Sequence, residues 1–158
     1  MPKLYDHKNL LLLLFYLLLS AIFASCLSKS NDEKIQKSLI RDIIMEIETA
    51  FNRKDLDGIM KHYHVDYLHF GKDFQNQKWE WQSRINDYAR IEFDLRNIIL
   101  SNDYAIVEMI IYYYDRDSIT PSFYTYEPQT SGDLSYFFYN FREWVIFGNQ
   151  RWEKKHND

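Results

Sequence analysis

Residues 35–71 carry the pattern that most restricts how this chain can fold. Ile35, Leu39, Ile43, Ile47 and Phe51 recur every four residues, with Ile40 and Ile44 beside them. That recurrence predicts one broad apolar face on a helix of about five turns, and the face needs a sheet to pack on. Asn52-Arg53-Lys54-Asp55 ends the helix in polar residues. Asp55 is suited to cap a second, short helix on which Leu56, Ile59, Met60 and Tyr63 share a face. Beyond it the chain turns extended, from Asp66 to Phe70.

The rest of the chain supplies the sheet. A polar loop from Gly71 to Lys78 leads to Trp81, Ile85 and Tyr88 at helical spacing, a third helix over Trp79–Tyr88. From Ile91 the period changes to two: Ile91, Phe93 and Leu95 alternate with Glu92, Asp94 and Arg96, a strand with one wet face. Ser101-Asn102-Asp103 turns it back. Tyr104 to Asp115 is apolar on both faces, broken only by Glu108, so both faces call for a cover. Arg116 to Gly132 reads as a long loop that holds a short strand over Ser122–Tyr126. Leu134 to Phe147 reads as a second long strand, Phe147 to Gln150 as a hairpin turn, and Arg151 to His156 as the strand that closes the sheet. The expected class is α+β, with three N-terminal helices packed on one curved, mostly antiparallel sheet.

The run Ala50 to Met60, AFNRKDLDGIM, followed by Tyr63 and Val65-Asp66-Tyr67, resembles the opening of NTF2-like proteins, in particular the SnoaL-like and ketosteroid-isomerase-like branch. The order of elements behind it extends the resemblance from Ile35 to the C-terminus. The resemblance implies a cone whose open end is a pocket, with a second subunit often covering the outer sheet face. It implies no catalytic residue, because Ile47 stands where the isomerases have their oxyanion tyrosine and Gly71 about where they have their catalytic aspartate. One fold of this kind hosts enzymes, binding modules and partner domains alike.

Residues 1–25 read as a targeting segment outside the fold. Lys3 and Lys8 precede an almost unbroken leucine run from Leu10 to Leu19, the form of a signal-peptide core. Phe23-Ala24-Ser25-Cys26 resembles a bacterial lipobox, in which the cysteine is acylated, as with palmitate, and becomes the new N-terminus. Cys26 is then the lipid attachment, residues 26–34 the attachment and polar tether, and residues 35–158 the folded domain. An uncleaved membrane anchor is a second reading, since Leu10 to Leu27 is at the short end of the roughly 17 to 25 residues that span a bilayer, and a soluble secreted form is a third. The lipoprotein reading places the domain in the bacterial cell envelope, on the periplasmic side or the cell surface.

Cysteine usage agrees, for Cys26 is the only one and an acylated Cys26 leaves the domain dependent on no disulfide. Without Lys3, Asp6 and Lys8 the net charge moves from −4 to −5, which is no nucleic-acid footprint.

Candidate site residues are few. His62, His64 and His69 suggest a metal first, but their spacing matches no recognised ligand set, so no metal or cofactor is expected. His69 shares a strand side with Tyr67, and both are pocket candidates. Glu108 is the lone charge in the doubly apolar strand and should be paired or raised in pKa. Arg142, on the other long strand, is its natural partner, with Tyr112 and Trp144 as aromatic walls. No Ser, Cys or His triad has recognised spacing. Two classes of function remain: a non-catalytic lipoprotein that binds a small apolar ligand or a partner, or an acid–base enzyme of isomerase, cyclase or hydrolase type using His69 or Glu108. A third, purely structural reading is a lipid-anchored homodimer with a filled cone.

Overall fold

The computed structural model describes residues 31–149. The targeting segment, Cys26 and the closing strand expected over Arg151–His156 therefore lie outside the described residues. Two compact units divide the chain, residues 1–36 and 37–158. In the first, residues 31–36 are helical, so the last part of the expected tether is helix rather than extended chain. Among the described residues no helix is long and apolar enough to cross a membrane.

In the second unit, helix α1 (residues 37–52) buries Ile40, Ile44, Ile47 and Phe51, whereas Ile35 and Leu39 are 55% and 44% exposed. The expected stripe was therefore off-centre. At 3.6 residues per turn a strict four-residue repeat winds around the helix, while steps of four, three and four stay on one face. Lys54 takes a left-handed conformation at φ 62, and Asp55 caps α2 (Leu56–Met60) by accepting from the Gly58 amide at 2.8 Å. The extended segment is a small antiparallel hairpin, β1 (Leu68–His69) and β2 (Lys72–Asp73). Helix α3 is longer than expected, Phe74–Asp87, because Asp73 and Asn76 form a capping box at its start.

The main sheet contains β3 (Arg90–Ser101), β4 (Tyr104–Tyr114), β5 (Phe123–Glu127), β6 (Tyr136–Tyr139) and β7 (Trp144–Ile146), all paired antiparallel. Strand β4 is central. It pairs with β3 on one side, and on the other it gives its first residues to β6 and its last to β5. Two partners at different heights and a register shift in β3 between Leu95 and Asn97 curve the sheet. The inner face of β4, from Ala105 through Val107, Met109 and Ile111 to Tyr113, is buried with Ile40, Ile47, Phe51 and Trp81 in one core. Helix α1 also closes the free edge of β3: Asn52 exchanges hydrogen bonds with Ile91 at 2.8 and 3.1 Å, and Glu48 accepts from the Phe93 amide at 2.7 Å. Edge amides that would otherwise invite another strand are thereby satisfied.

The expected long strand from Leu134 to Phe147 is broken in two. Asn140 Oδ1 accepts from the amides of Arg142 and Glu143, and Phe141 sits at φ 69, which turns β6 back into β7. After β7, Gly148 has φ 83 and lies against the Leu68 carbonyl, where an added Cβ would come within 2.2 Å of the oxygen. Only glycine fits there.

Candidate functional site

Helix α3 turns Gln77, Trp81 and Arg84 inward, one and two turns apart. Across from them Asp133 follows Gly132, whose φ of 70 aims the loop back at the helix. Arg84 Nη2 lies 2.6 Å from Asp133 Oδ2, Gln77 Nε2 donates to the same oxygen at 2.9 Å, and Ser131 Oγ donates to Oδ1 at 2.9 Å. The Tyr67 hydroxyl lies between Gln77 Oε1 and the Asp133 carbonyl, at 3.3 and 3.4 Å, and the Trp81 indole donates to the Tyr63 hydroxyl at 2.8 Å. The guanidinium of Arg84 stacks over the Trp81 ring at 4.8 Å.

Burial alone would push the Asp133 carboxyl up; Arg84, Gln77 and Ser131 outweigh it and hold it below the usual aspartate range. For Arg84 burial works against the charge, and Asp133 overcomes it, so the side chain is held more firmly protonated than a free arginine. Burial raises the tyrosines of this interior, Tyr113 to about 12 and Tyr63 and Tyr67 further.

His69 is 2% exposed and neither ring nitrogen is free. Its Nε2 meets the Ser131 carbonyl at 2.5 Å and its Nδ1 accepts from the Asn149 amide at 3.3 Å. Those partners fit the tautomer that carries its hydrogen on Nε2. Glu127 is also buried. It accepts from the amide of Ser131 at 3.1 Å and from the amide of Gly132, and its other oxygen lies 3.0 Å from the Ser131 hydroxyl that Asp133 engages.

The six expected pocket residues occupy three separate places. Tyr67 and His69 lie in the interior just described. Glu108 and Tyr112 are half-buried on the outer face of β4, where Tyr112 packs against Tyr124 at 6.2 Å between ring centres. Arg142 and Trp144 line an open hollow of about 550 Å³ between α1, the end of α2 and the β6–β7 hairpin. The expected Glu108–Arg142 pair is thus absent. Glu108 stands beside Asn97 of β3, midway along β4, while Arg142 sits in a turn beyond the strand's first residue.

The hollow also holds Glu46 and His62. Glu46 is held below its usual range, chiefly by a 2.8 Å hydrogen bond from Lys61. His62 Nε2 is buried 3.3 Å from a Glu46 oxygen without hydrogen-bond geometry. Burial, then Lys61, lowers the pKa of His62, and the carboxylates of Glu46 and Glu143 offset only part of that. Among the described residues no three His, Cys, Asp or Glu side chains are grouped to hold a metal ion.

No protein-family profile and no curated protein matches this chain. Solved structures do. A Nostoc punctiforme protein of unknown function with a cystatin-like fold superposes with a TM-score of 0.55 at 13% identity, over 72% of this chain and 87% of that one. An NTF-2-like protein of unknown function from Shewanella oneidensis gives 0.51 at 18% identity, over 71% and 94%. The fold is NTF2-like. The Bdellovibrio bacteriovorus protein Bd1075 is similar as well, with a TM-score of 0.53 at 16% identity over 76% of this chain, which spans only 41% of that longer protein.

Within the NTF2-like frame, Ile47 is fully buried in the core and Gly71 forms the β1–β2 turn at φ 81. Neither position offers a polar group to the interior. The interior's ionisable groups Arg84, Glu127 and Asp133 were not singled out from the sequence. A signal for the helical half was present, since Asp73-x-x-Asn76 is a helix start that brings Gln77, Trp81 and Arg84 onto one face. Asp133 carried none, because it lies in a segment with no periodicity.

Proposed function

We propose that this NTF2-like domain binds rather than catalyses, and that an acyl chain on Cys26 holds it to a membrane of the bacterial cell envelope. The observation that carries the first half is the engagement of Asp133. Its carboxylate has both oxygens taken by Arg84, Gln77 and Ser131 and is held in its charged form. An acid–base catalyst needs a group free to exchange a proton near the working pH. His69 has its two ring nitrogens engaged by the Ser131 carbonyl and the Asn149 amide, and Glu108 lies on the opposite side of the sheet. Among the described residues the buried side-chain atoms left without a hydrogen-bond partner are His62 Nε2, Arg84 Nη1 and the hydroxyls of Thr125 and Ser135. Arg84 and the two hydroxyls are suited to hold a ligand atom and unsuited to move a proton, and His62 stands apart from this interior, in the hollow beside Glu46.

The binding surface is the outer face of the sheet. Ile99, Tyr124 and Tyr126 are 43%, 52% and 53% exposed, and half-buried Ile106 and Tyr112 lie between them on β4. An aromatic face of this kind is a partner surface, and a second copy of the chain is the partner we propose. Sedimentation of residues 27–158, lacking the lipid, tests it: a dimer at tens of micromolar, an order-of-magnitude choice, that Tyr124→Glu dissociates. A wild-type monomer overturns it. Fatty-acid labelling of the full chain tests the anchor: wild type takes the label and Cys26→Ala does not, and equal labelling ends that reading.

A further inference from the structure

The β6–β7 turn holds a residue that its backbone disfavours. Asn140 to Glu143 reverse the chain with positive φ, 69, at the first central residue alone, a pattern in which that place ordinarily belongs to glycine. Here it is Phe141, 89% exposed. A bulky side chain in the left-handed region is strained, and an exposed aromatic ring gains nothing from folding to offset that strain. Next to it Arg142 is exposed, and its guanidinium makes no ion pair among the described residues.

This turn lies at the end of the domain where the chain enters. Leu39 and Ile43, early in α1, share a hollow with Arg142 and Trp144. Lys37 and Arg41 line a second hollow with Arg96 and Asn97, although Arg96 is paired with Asp94 at 2.5 Å. The Tyr139 amide donates to the Asp103 carbonyl at 2.8 Å, so the β3–β4 turn stands beside the β6–β7 turn. Residues 31–36 are helical, and between Cys26 and Lys37 the chain reaches at most about 25 Å, from the rise of helical and extended backbone. An acyl group on Cys26 would keep this end close to the lipid and leave the β4–β5 loop, beyond the other end of β4, remote.

We propose that Phe141 and Arg142 form a membrane-contact tip: the Phe141 ring enters the boundary between headgroups and acyl chains, and the Arg142 guanidinium binds a lipid phosphate. An aromatic ring beside a cation is the pairing that this boundary favours. The inference rests on the acylation of Cys26 and fixes which end of the domain faces the bilayer.

The test uses the full acylated chain in vesicles of phosphatidylethanolamine with a minority of phosphatidylglycerol. A polarity-sensitive fluorophore is placed at Phe141→Cys or, as control, at Ile119→Cys. Ile119 is 92% exposed in the β4–β5 loop, so neither substitution disturbs the core. On reconstitution the label at 141 shifts to the blue and is quenched several-fold more by headgroup nitroxide lipids than the label at 119. Equal quenching at both positions, or stronger quenching at 119, overturns the proposal. Adding Arg142→Glu weakens quenching at 141, and an unchanged value removes the phosphate contact. Recovery of the protein in the soluble fraction, with Cys26 open to thiol reagents, is a different outcome: it overturns the anchor itself.

Discussion

Arg84 on α3 and Asp133 in the loop before β6 meet at 2.6 Å inside the domain, and together they join the helical layer to the sheet. The pair is nearly dry. Asp133 has 3% of its side chain exposed and Arg84 20%. Removing one partner of such a pair leaves the other charge buried without its counter-ion, at a cost of about 3 to 5 kcal/mol. Asp133→Asn keeps the shape and removes the charge, so its urea midpoint should fall by that order while the slope stays constant. The Arg84→Met, Asp133→Leu double variant should recover much of the loss, because no lone charge remains. A double variant as unstable as the sum of its parts would sink the account. The pH dependence has a matching sign: the pair stabilises the fold above the unfolded aspartate value of about 3.9, and that contribution is lost as pH falls through the lower folded value.

Glu108 behaves differently. It is half-buried on the outer face and Arg142 is not its partner. Glu108→Gln should therefore leave stability within about 0.5 kcal/mol, as for surface changes away from any network. A fall several times larger would mean that the outer face holds a counter-ion for Glu108 after all. The sequence pointed to Glu108 because it interrupts an apolar run, and that much was sound. Period two assigned each β4 residue its face correctly, with Ala105, Val107, Met109, Ile111 and Tyr113 inside. It could not tell whether the remaining face would be covered, since that depends on what packs against the sheet.

Other elements were legible for similar reasons. Local signals placed the Asp55 cap and the Ser101–Asp103 turn, each settled by contacts within a few residues, and the short strand expected over Ser122–Tyr126 is β5, which pairs with the end of β4. The break in the strand expected from Leu134 to Phe147 was missed because its cause is a turn at Asn140 with phenylalanine where glycine would have announced it. The Arg84–Asp133 pair was missed because its two halves lie 49 residues apart, and no spacing rule spans the three strands between them.

His62 makes stability depend on pH in a second window. Burial lowers its folded pKa below the unfolded value of about 6.5. Between those two values the unfolded chain binds the extra proton and the folded one does not, so stability rises with pH across the window. Acidification from neutral toward pH 5, about the lower edge of histidine titration, should lower the urea midpoint, and His62→Gln should flatten that slope. Glu46, Lys61 and Glu143 surround the ring, and of these the Lys61 charge pushes the same way as burial. A wild type equally stable across the window would show that the ring is wet.

Phe141 separates backbone strain from side-chain packing. Its ring is almost wholly exposed and its φ of 69 lies where glycine rests freely. Phe141→Gly should raise the unfolding midpoint of the lipid-free domain by an amount equivalent to about 1 kcal/mol, the low end of the cost of a left-handed non-glycine residue, less the entropy that glycine adds to the unfolded chain. Phe141→Ala keeps the strain and loses only the ring, so it should unfold like the wild type. The two variants decide between causes. If alanine destabilises and glycine does no better, the ring packs against the domain in solution and its exposure is illusory. If glycine stabilises while alanine is neutral, the wild-type chain keeps a strained turn whose ring does nothing for folding, which leaves contact with something outside the domain as the ring's use.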